Sequence, residues 1–454
     1  MSAVMEDFWS PLQATIEEIC LDFDKVWQTR KRVITTQFLV TFILKLVLSK
    51  NSQGYKILLN ELWETAEFSG LQQQPVSASS ICEARQKMPE TIFTLINQKV
   101  LSMREESNPL PLWRNHRVFG VDGSKINVPH ELLGAGYKAP NKQQYYPQGL
   151  MSTLYHLGSG LIYDGVLTPD KGERVCLLLH MEKLSPGDVL VLDRGYFSYL
   201  ILVKAIEKGI HLICRMQSGT VNKTVQAFWE SDKEDEVITY MPSIAVKYES
   251  KKQGYDIELN PVELRLIKYK IDDETYVCCT TLLGEQYPLN DFPAVYHGRW
   301  GIEELYKISK EFVDVEDFHG KSERGVKQEC YAHMLLINLA RIFEVEADKQ
   351  LPPPPSEPHN GTSSGDPKNS YWKNFCGEIR NFKINFKNCL LVVGRSLGKL
   401  LCPVGNEDFG FLGNILKCIS RVRQKIRPGR HSPRQSRKPI NKWKSSSGAK
   451  VTYA

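Results

Sequence analysis

The chain has 454 residues, 42% of them hydrophobic and 24% charged, a composition that suits a large buried core spread over roughly two to three domains. Its net charge of +6 is concentrated at one end: residues 421–454 hold 11 Lys or Arg and no Asp or Glu, leaving 47 basic against 52 acidic residues elsewhere. Such a tail suits an anionic polymer, nucleic acid before a membrane surface, with a plain solubilising tail as the alternative.

The opening "MSAVMEDFWS" lacks the basic and apolar regions of a leader. The most apolar run, "QFLVTFILKLVLS" at 37–49, is interrupted by Lys45 and too short for a bilayer, so it reads as a buried helix. Residues 1–110 carry apolar positions at helical spacing, with a break at Pro89. They are expected to form a helical region, either a plain bundle or a DNA-contacting helix-turn-helix. The 11 cysteines include no CxxC pair, which argues against a zinc site and fits reduced thiols in the cytosol or nucleus.

From 111 the pattern changes. "RVFGVDGSKINV" is a β-branched run through Asp122-Gly123, read as a strand end. "GLMSTLYHLGSGLIYDGVLTP" reads as two strands about a turn, "ERVCLLLHMEKL" as a helix, and "DVLVLDRGYF" as a buried strand ending at Asp193. A helix and a short strand follow. Strands alternating with helices predict an α/β mixed sheet over 111–216. Residues 217–290 read as a β-rich insertion, and 291–348 return to helix. A Pro/Ser/Gly linker is expected over 349–371, a helical region over 372–420, and the basic tail after it.

Three carboxylates draw attention. Taken singly, Asp122 and Asp193 are ordinary turn residues and Glu303 an ordinary helix-surface acid. Together, two stand at strand ends, where α/β sheets gather functional groups, and the third opens the helix after the insertion. Three carboxylates suit hard divalent cations, and a pair of such ions supports in-line phosphoryl transfer. In "YHGRWGIEELYKISK", Arg299 and Glu303 are one turn apart and Lys310 lies about two turns past Glu303, with Tyr296 just before the helix. A salt-bridged surface helix would share this pattern. In the functional reading Glu303 binds metal while Tyr296, Arg299 and Lys310 hold DNA phosphates, and Trp300, Leu305 and Phe312 anchor the helix to the core.

The pattern Y-x2-R-x3-E-x6-K, here Tyr296, Arg299, Glu303 and Lys310, resembles the signature of the insertion-sequence-four family of DDE transposases. The resemblance extends to "VFGVDGSKI", to "GDVLVLDRGYFSYLILVKAIEKGIHLICR", to Glu173 in "DKGERVCLLLHMEKL" and to "RPGRHSPRQSRKPINKW", covering about 117–345 and more weakly both ends. It implies an RNase H-like core with Asp122, Asp193 and Glu303 as catalytic ligands of two Mg²⁺ ions, or Mn²⁺ in their place. It implies cut-and-paste transposition through hairpin ends, acting on double-stranded DNA at the element's inverted repeats and at the target, in a synaptic homodimer. Its place would be the cytoplasm beside a bacterial nucleoid, or the nucleus in a eukaryote. Arg194, Arg423, Arg427 and Arg430 are further expected DNA contacts. Hairpin-forming members stack a flipped base on an aromatic of the insertion. Tyr276 stands at the matching place, with Trp229 as a weaker alternative. A domesticated DNA-binding protein and an RNase H-like nuclease are the competing expectations. Retention of all three carboxylates argues against the first, and the long insertion with the four-residue signature against the second.

Overall fold

In the computed structural model, residues 2–28, 33–49, 54–64, 75–169, 171–219, 222–271, 274–351, 382–402 and 410–426 are described. Five helices come first: Ser2–Trp27 (α1), Thr36–Leu46 (α2), Tyr55–Glu64 (α3), Ala78–Lys87 (α4) and Thr91–Ser107 (α5). Their starts are written locally. The Thr35 hydroxyl accepts from Phe38 N–H and the Ser77 hydroxyl from Ser80 N–H, satisfying donors that a helix leaves open. Helix α2 is buried along most of its length, as its apolar run requires. Among the described residues no helix is long and apolar enough to cross a membrane.

Next come Val118–Asn127 (β1), Gln148–His156 (β2), Ile162–Thr168 (β3), Glu173–Met181 (α6), Val189–Leu192 (β4), Tyr199–Glu207 (α7) and His211–Arg215 (β5). The following segment holds Lys223–Glu230 (α8), Asp235–Tyr240 (β6), Ile244–Lys252 (α9), Val262–Ile271 (β7) and Glu274–Thr280 (β8). It carries the helices α8 and α9 among the strands of the expected β-rich segment. Its strands join the sheet. The eight strands lie in the order β3-β2-β1-β4-β5-β8-β7-β6, so the segment extends the first five through an antiparallel β5–β8 pairing. Strands β1 to β3 are antiparallel, whereas β1, β4 and β5 run parallel.

The chain then forms Phe292–Gly298 (α10), Trp300–Lys307 (α11), a π-helical turn at Ile308–Phe312, and the long Glu323–Asp348 (α12). Most of the linker expected over 349–371 lies outside the described residues. The region beyond it holds Phe382–Ile384 (β9), Phe386–Arg395 (α13), Leu397–Leu401 (α14), Gly410–Ser420 (α15) and Arg423–Lys425 (β10). Strands β9 and β10 pair antiparallel, so the start of the expected tail is part of a small ribbon. The C-terminal helices close on the N-terminal ones: Trp9 Nε1 and Gln13 Nε2 donate to the Leu400 carbonyl at 3.0 and 3.1 Å.

Side chains alternate across a strand, and this sorts the core into two layers. Val118, Val189, Val191, Ile213, Ile267 and Cys278 face α10–α12 and the terminal helices. Phe119, Val121, Leu190, Leu192, Leu212, Cys214 and Val277 face α6, α7 and α8.

Candidate active site

The same alternation aims the carboxylates. Counting by twos from Val118 leads through Gly120 to Asp122, and from Val189 through Val191 to Asp193. Both side chains thus belong to the face covered by α10 and α11. The parallel β1–β4 pairing stops at Gly120 and Val191, so the two acids stand where these strands part. Asp122-Gly123 is not the strand end its sequence suggested: β1 continues to Asn127, because β2 keeps pairing with it and sets Asp122 opposite Thr153.

Helix α11 packs on β1 at Gly120. A Cβ there would lie 2.7 Å from Ile302 Cδ1, closer than packing allows. Ile302 fills that space and carries Arg299 and Glu303 over the strand ends. Arg299 Nη2 donates to Glu303 Oε1 at 3.0 Å, and its Nη1 lies 3.7 Å from Asp122 Oδ2. Tyr296 donates its hydroxyl to Asp193 Oδ1 at 3.2 Å. One cation and one phenol thus join all three expected carboxylates.

The electrostatics follow from this crowding. Burial raises the Asp122 carboxyl to about 6; Arg299 and the Gly123 N–H work against the rise, Glu173 and Glu303 with it. Burial also opposes the Arg299 charge, but Tyr296, Asp122, Asp193 and Glu303 more than offset it, so its pKa is raised. The Tyr296 hydroxyl is likewise raised, chiefly by burial.

Tyr296 and Lys310 occupy other settings than their spacing suggested. Tyr296 lies inside α10, is buried, and spends its proton on Asp193, not on an exposed phosphate-facing edge. The π-helical turn breaks the regular helix that was to align Lys310 with Glu303. Lys310 Nζ donates instead to the Lys125 carbonyl of β1 at 2.7 Å, and burial lowers its pKa. Trp300 does not anchor its helix: it is 48% exposed and stacks on His297, while Leu305 is buried and Phe312 half-buried.

Tyr276 is on β8, facing the same side as the acids. Its ring lies against Tyr269 at 5.7 Å, with the Arg215 guanidinium 4.4 Å from its centre. Trp229, by contrast, packs in the opposite core layer and is not brought to the site. Arg194 is exposed in the turn after Asp193. Arg423 is exposed on β10, its guanidinium 4.7 Å from the Phe382 ring, in the separate C-terminal ribbon. Arg427 and Arg430 lie outside the described residues.

Two contributors had no assigned role in the sequence. The Tyr306 hydroxyl lies 2.9 Å from the carbonyl oxygens of both Asp122 and Met151, pinning α11 to β1 and β2. Its place three residues after Glu303 was the available signal, but a buried helix tyrosine looks like any core residue. Arg215 is the second: a cation ending a buried strand, legible only once β5 and β8 pair.

Among the described residues no three His, Cys, Asp or Glu are gathered closely enough to hold a metal ion. The chemistry of Asp122, Asp193 and Glu303 nevertheless fits a hard divalent cation. Their donors are all carboxylate oxygens, and their shared negative charge already draws the buried Arg299 cation between Asp122 and Glu303.

Residues 113–339 match the family model described as Transposase DDE domain. A Sinorhizobium fredii (strain NBRC 101917 / NGR234) protein named "Putative transposase y4zB" is 26% identical over 160 residues, 35% of this chain. The match spans 43% of that relative, less than half its length. A solved structure, the cryo-EM piggyBac transposase synaptic complex with hairpin DNA, is 10% identical and covers 100% of this chain and 90% of that one. The TM-score of that match is 0.39.

Proposed function

The chain belongs to the transposase DDE domain family, and on that premise we propose that it is a DNA transposase of the insertion-sequence-four type. In this reading it cuts and rejoins double-stranded DNA at the ends of its element, with Asp122, Asp193 and Glu303 as the catalytic carboxylates. The observation that carries the proposal is the linked set at the parting of β1 and β4: three acids on one face, joined through Arg299 and Tyr296. The strand order supports an RNase H-like core, since three antiparallel strands are followed by two parallel ones on the other side of β1. The Tyr296, Arg299, Glu303 and Lys310 spacing supports the narrower family assignment.

Asp122, Asp193 and Glu303 would hold Mg²⁺, or Mn²⁺ in its place. An ion held by these carboxylates would supply Lewis-acid polarisation of the scissile phosphate and a lowered pKa for the attacking water or 3′-hydroxyl. The protein's own groups set the geometry. Tyr296 orients Asp193, Arg299 holds Glu303 and Asp122 against mutual repulsion, and Tyr306 fixes the backbone of Asp122. Arg194, exposed beside Asp193, would meet a backbone phosphate, and Lys310 would do so only by leaving the Lys125 carbonyl. For a hairpin route, Tyr276 offers a ring face for an extruded base, steadied by Arg215 and Tyr269. Cleavage at the carboxylates does not require that step. Two ends held together would call for a homodimer, and the helices of residues 1–110 would contribute DNA contacts.

The test is cleavage in Mg²⁺ of DNA carrying the repeats that flank the gene. Asp122→Asn, Asp193→Asn and Glu303→Gln should each reduce nicking to background while the circular dichroism spectrum is unchanged. Substantial cleavage by any one of them would sink the assignment.

A further inference from the structure

Strand β1 runs on past Asp122 to Asn127, about 17 Å of extended chain. A 3₁₀ turn at His130–Ala135 and a loop over 138–147 follow before β2 begins at Gln148. The base of this loop is closed: the Gln148 N–H donates to the Lys138 carbonyl and the Val128 N–H to the Pro147 carbonyl, each at 2.9 Å. Tyr137 is buried at its foot, so close to Gly149 that a Cβ there would lie 2.9 Å from the ring. Asn141 turns the loop, its Oδ1 accepting from the Gln143 N–H at 3.0 Å.

The outer side of this seat is aromatic and basic. Tyr145 is 65% exposed and Tyr146 55%. Tyr145 stacks on His130 with ring centres 4.2 Å apart, and Tyr146 meets Tyr145 at right angles at 5.1 Å. Residues 125–148 hold three Lys, one Glu and no Asp. Lys125, Lys138 and Lys142 are all exposed, and Glu131 is already paired with Lys321 at 3.0 Å. The ordinary explanation of loop tyrosines is packing that steadies the loop. Tyr137 does that. Tyr145 and Tyr146 leave more than half their surface in water, so burial there stabilises little.

We propose that His130, Tyr145 and Tyr146 form a stacking platform for unpaired DNA bases, with Lys138 and Lys142 meeting the flanking phosphates. Aromatic faces stack with any base, but only with bases freed from the duplex, where paired bases present their edges. The surrounding lysines match the charge of the backbone. The platform follows the strand that carries Asp122, so an unpaired segment led along β1 from a cut would arrive at it. It is separate from Tyr276, which stands on β8. The inference rests on the DNA-cutting reading given above.

Fluorescence anisotropy of the full chain without divalent cation tests this, with DNA ending in the repeat that flanks the gene. One probe is a blunt duplex, and the other is the same duplex with a short unpaired 3′ extension. The parent should bind the extended DNA more tightly. Tyr145→Leu with Tyr146→Leu keeps bulk at two exposed positions and removes both phenol rings. It should weaken binding of the extended DNA on the order of tenfold and leave the blunt duplex unchanged. Tyr145→Phe with Tyr146→Phe should bind both DNAs as the parent does, because stacking needs the ring and not the hydroxyl. Equal loss on the two DNAs, or as great a loss with phenylalanine as with leucine, overturns the stacking of unpaired bases. A parent that binds both DNAs alike, or a leucine variant that keeps full affinity for both, overturns the platform and leaves the DNA-cutting reading intact. A parent that binds neither DNA overturns that reading, and this inference with it.

Discussion

At the scale of single residues, the site depends on polar groups that are occupied by one another. Tyr296 is the clearest case. Its spacing suggested a phosphate ligand, yet its hydroxyl is buried and committed to Asp193. Tyr296→Phe removes one hydrogen bond to a carboxylate and nothing else, a loss of about 1.5 kcal/mol at the weak end of such bonds, given its 3.2 Å length. If that bond serves to orient Asp193, cleavage should fall about tenfold. DNA affinity measured without divalent cation should stay within about twofold of the parent, since one lost phosphate contact would instead weaken binding and flatten its salt dependence. A weakened, less salt-sensitive complex with unimpaired single-turnover cleavage would return Tyr296 to the phosphate role.

At the scale of elements, the decisive contact is α11 on β1 at Gly120. Gly120→Ala drives a methyl into Ile302 Cδ1. Overpacking of this kind costs about 1–3 kcal/mol, and here the strain would also lift Arg299 and Glu303 from Asp122. Urea midpoints and cleavage rates should both fall for Gly120→Ala. Adding Ile302→Val, which deletes the clashing methyl, should restore much of both, and no recovery in the double variant would mean that the contact does not set the helix position. Gly120 did not announce this role in sequence, because a close approach is a property of two elements that are distant in the chain. The strands β1 to β5 and the helices between them were legible, since alternation and caps are local signals. What was not legible was non-local. The strands of 217–290 read as an insertion within the α/β domain, but their place in the sheet was not legible, because pairing partners leave no mark on periodicity; β8 pairs with β5. Lys310 was misplaced for a related reason: a regular 3.6-residue turn was extrapolated through a segment that forms a π-helical turn.

At the scale of the whole molecule, α12 ties the helical ends to the sheet. Arg85 of α4 pairs with Glu329 at 2.7 Å, both side chains 4% exposed. Asn338 Oδ1 accepts from the Ile162 N–H at 2.8 Å, while its Nδ2 donates to Asn97 Oδ1 at 2.7 Å, binding α12 to β3 and α5. Burying polar groups in this spine makes stability sensitive to acid. His333, on α12, is 1% exposed, and burial lowers its pKa to about 4; His156, on β2, is 0% exposed and lowered by burial to about 3. In the unfolded chain both would take a proton near pH 6.5. Between pH 6.5 and about 4 the unfolded state therefore binds more protons, and stability drops as pH falls. At pH 5 each histidine contributes about 2 kcal/mol of that loss. Asp122, raised to about 6, binds its proton first in the folded state and works in the opposite direction. Glu329, where Arg85 and His319 outweigh burial and lower the pKa, adds a loss at more acid pH, below its ordinary carboxylate range. A comparison of variants isolates the histidine term. Unfolding free energies from urea titrations at pH 7.5 and 5.0 should differ by about 2 kcal/mol less in His333→Asn than in the parent, even though the variant starts less stable through losing its bond to Ser309. Parallel pH dependences in the two proteins would show that His333 is already protonated in the fold, with the buried α12 spine tolerating the charge.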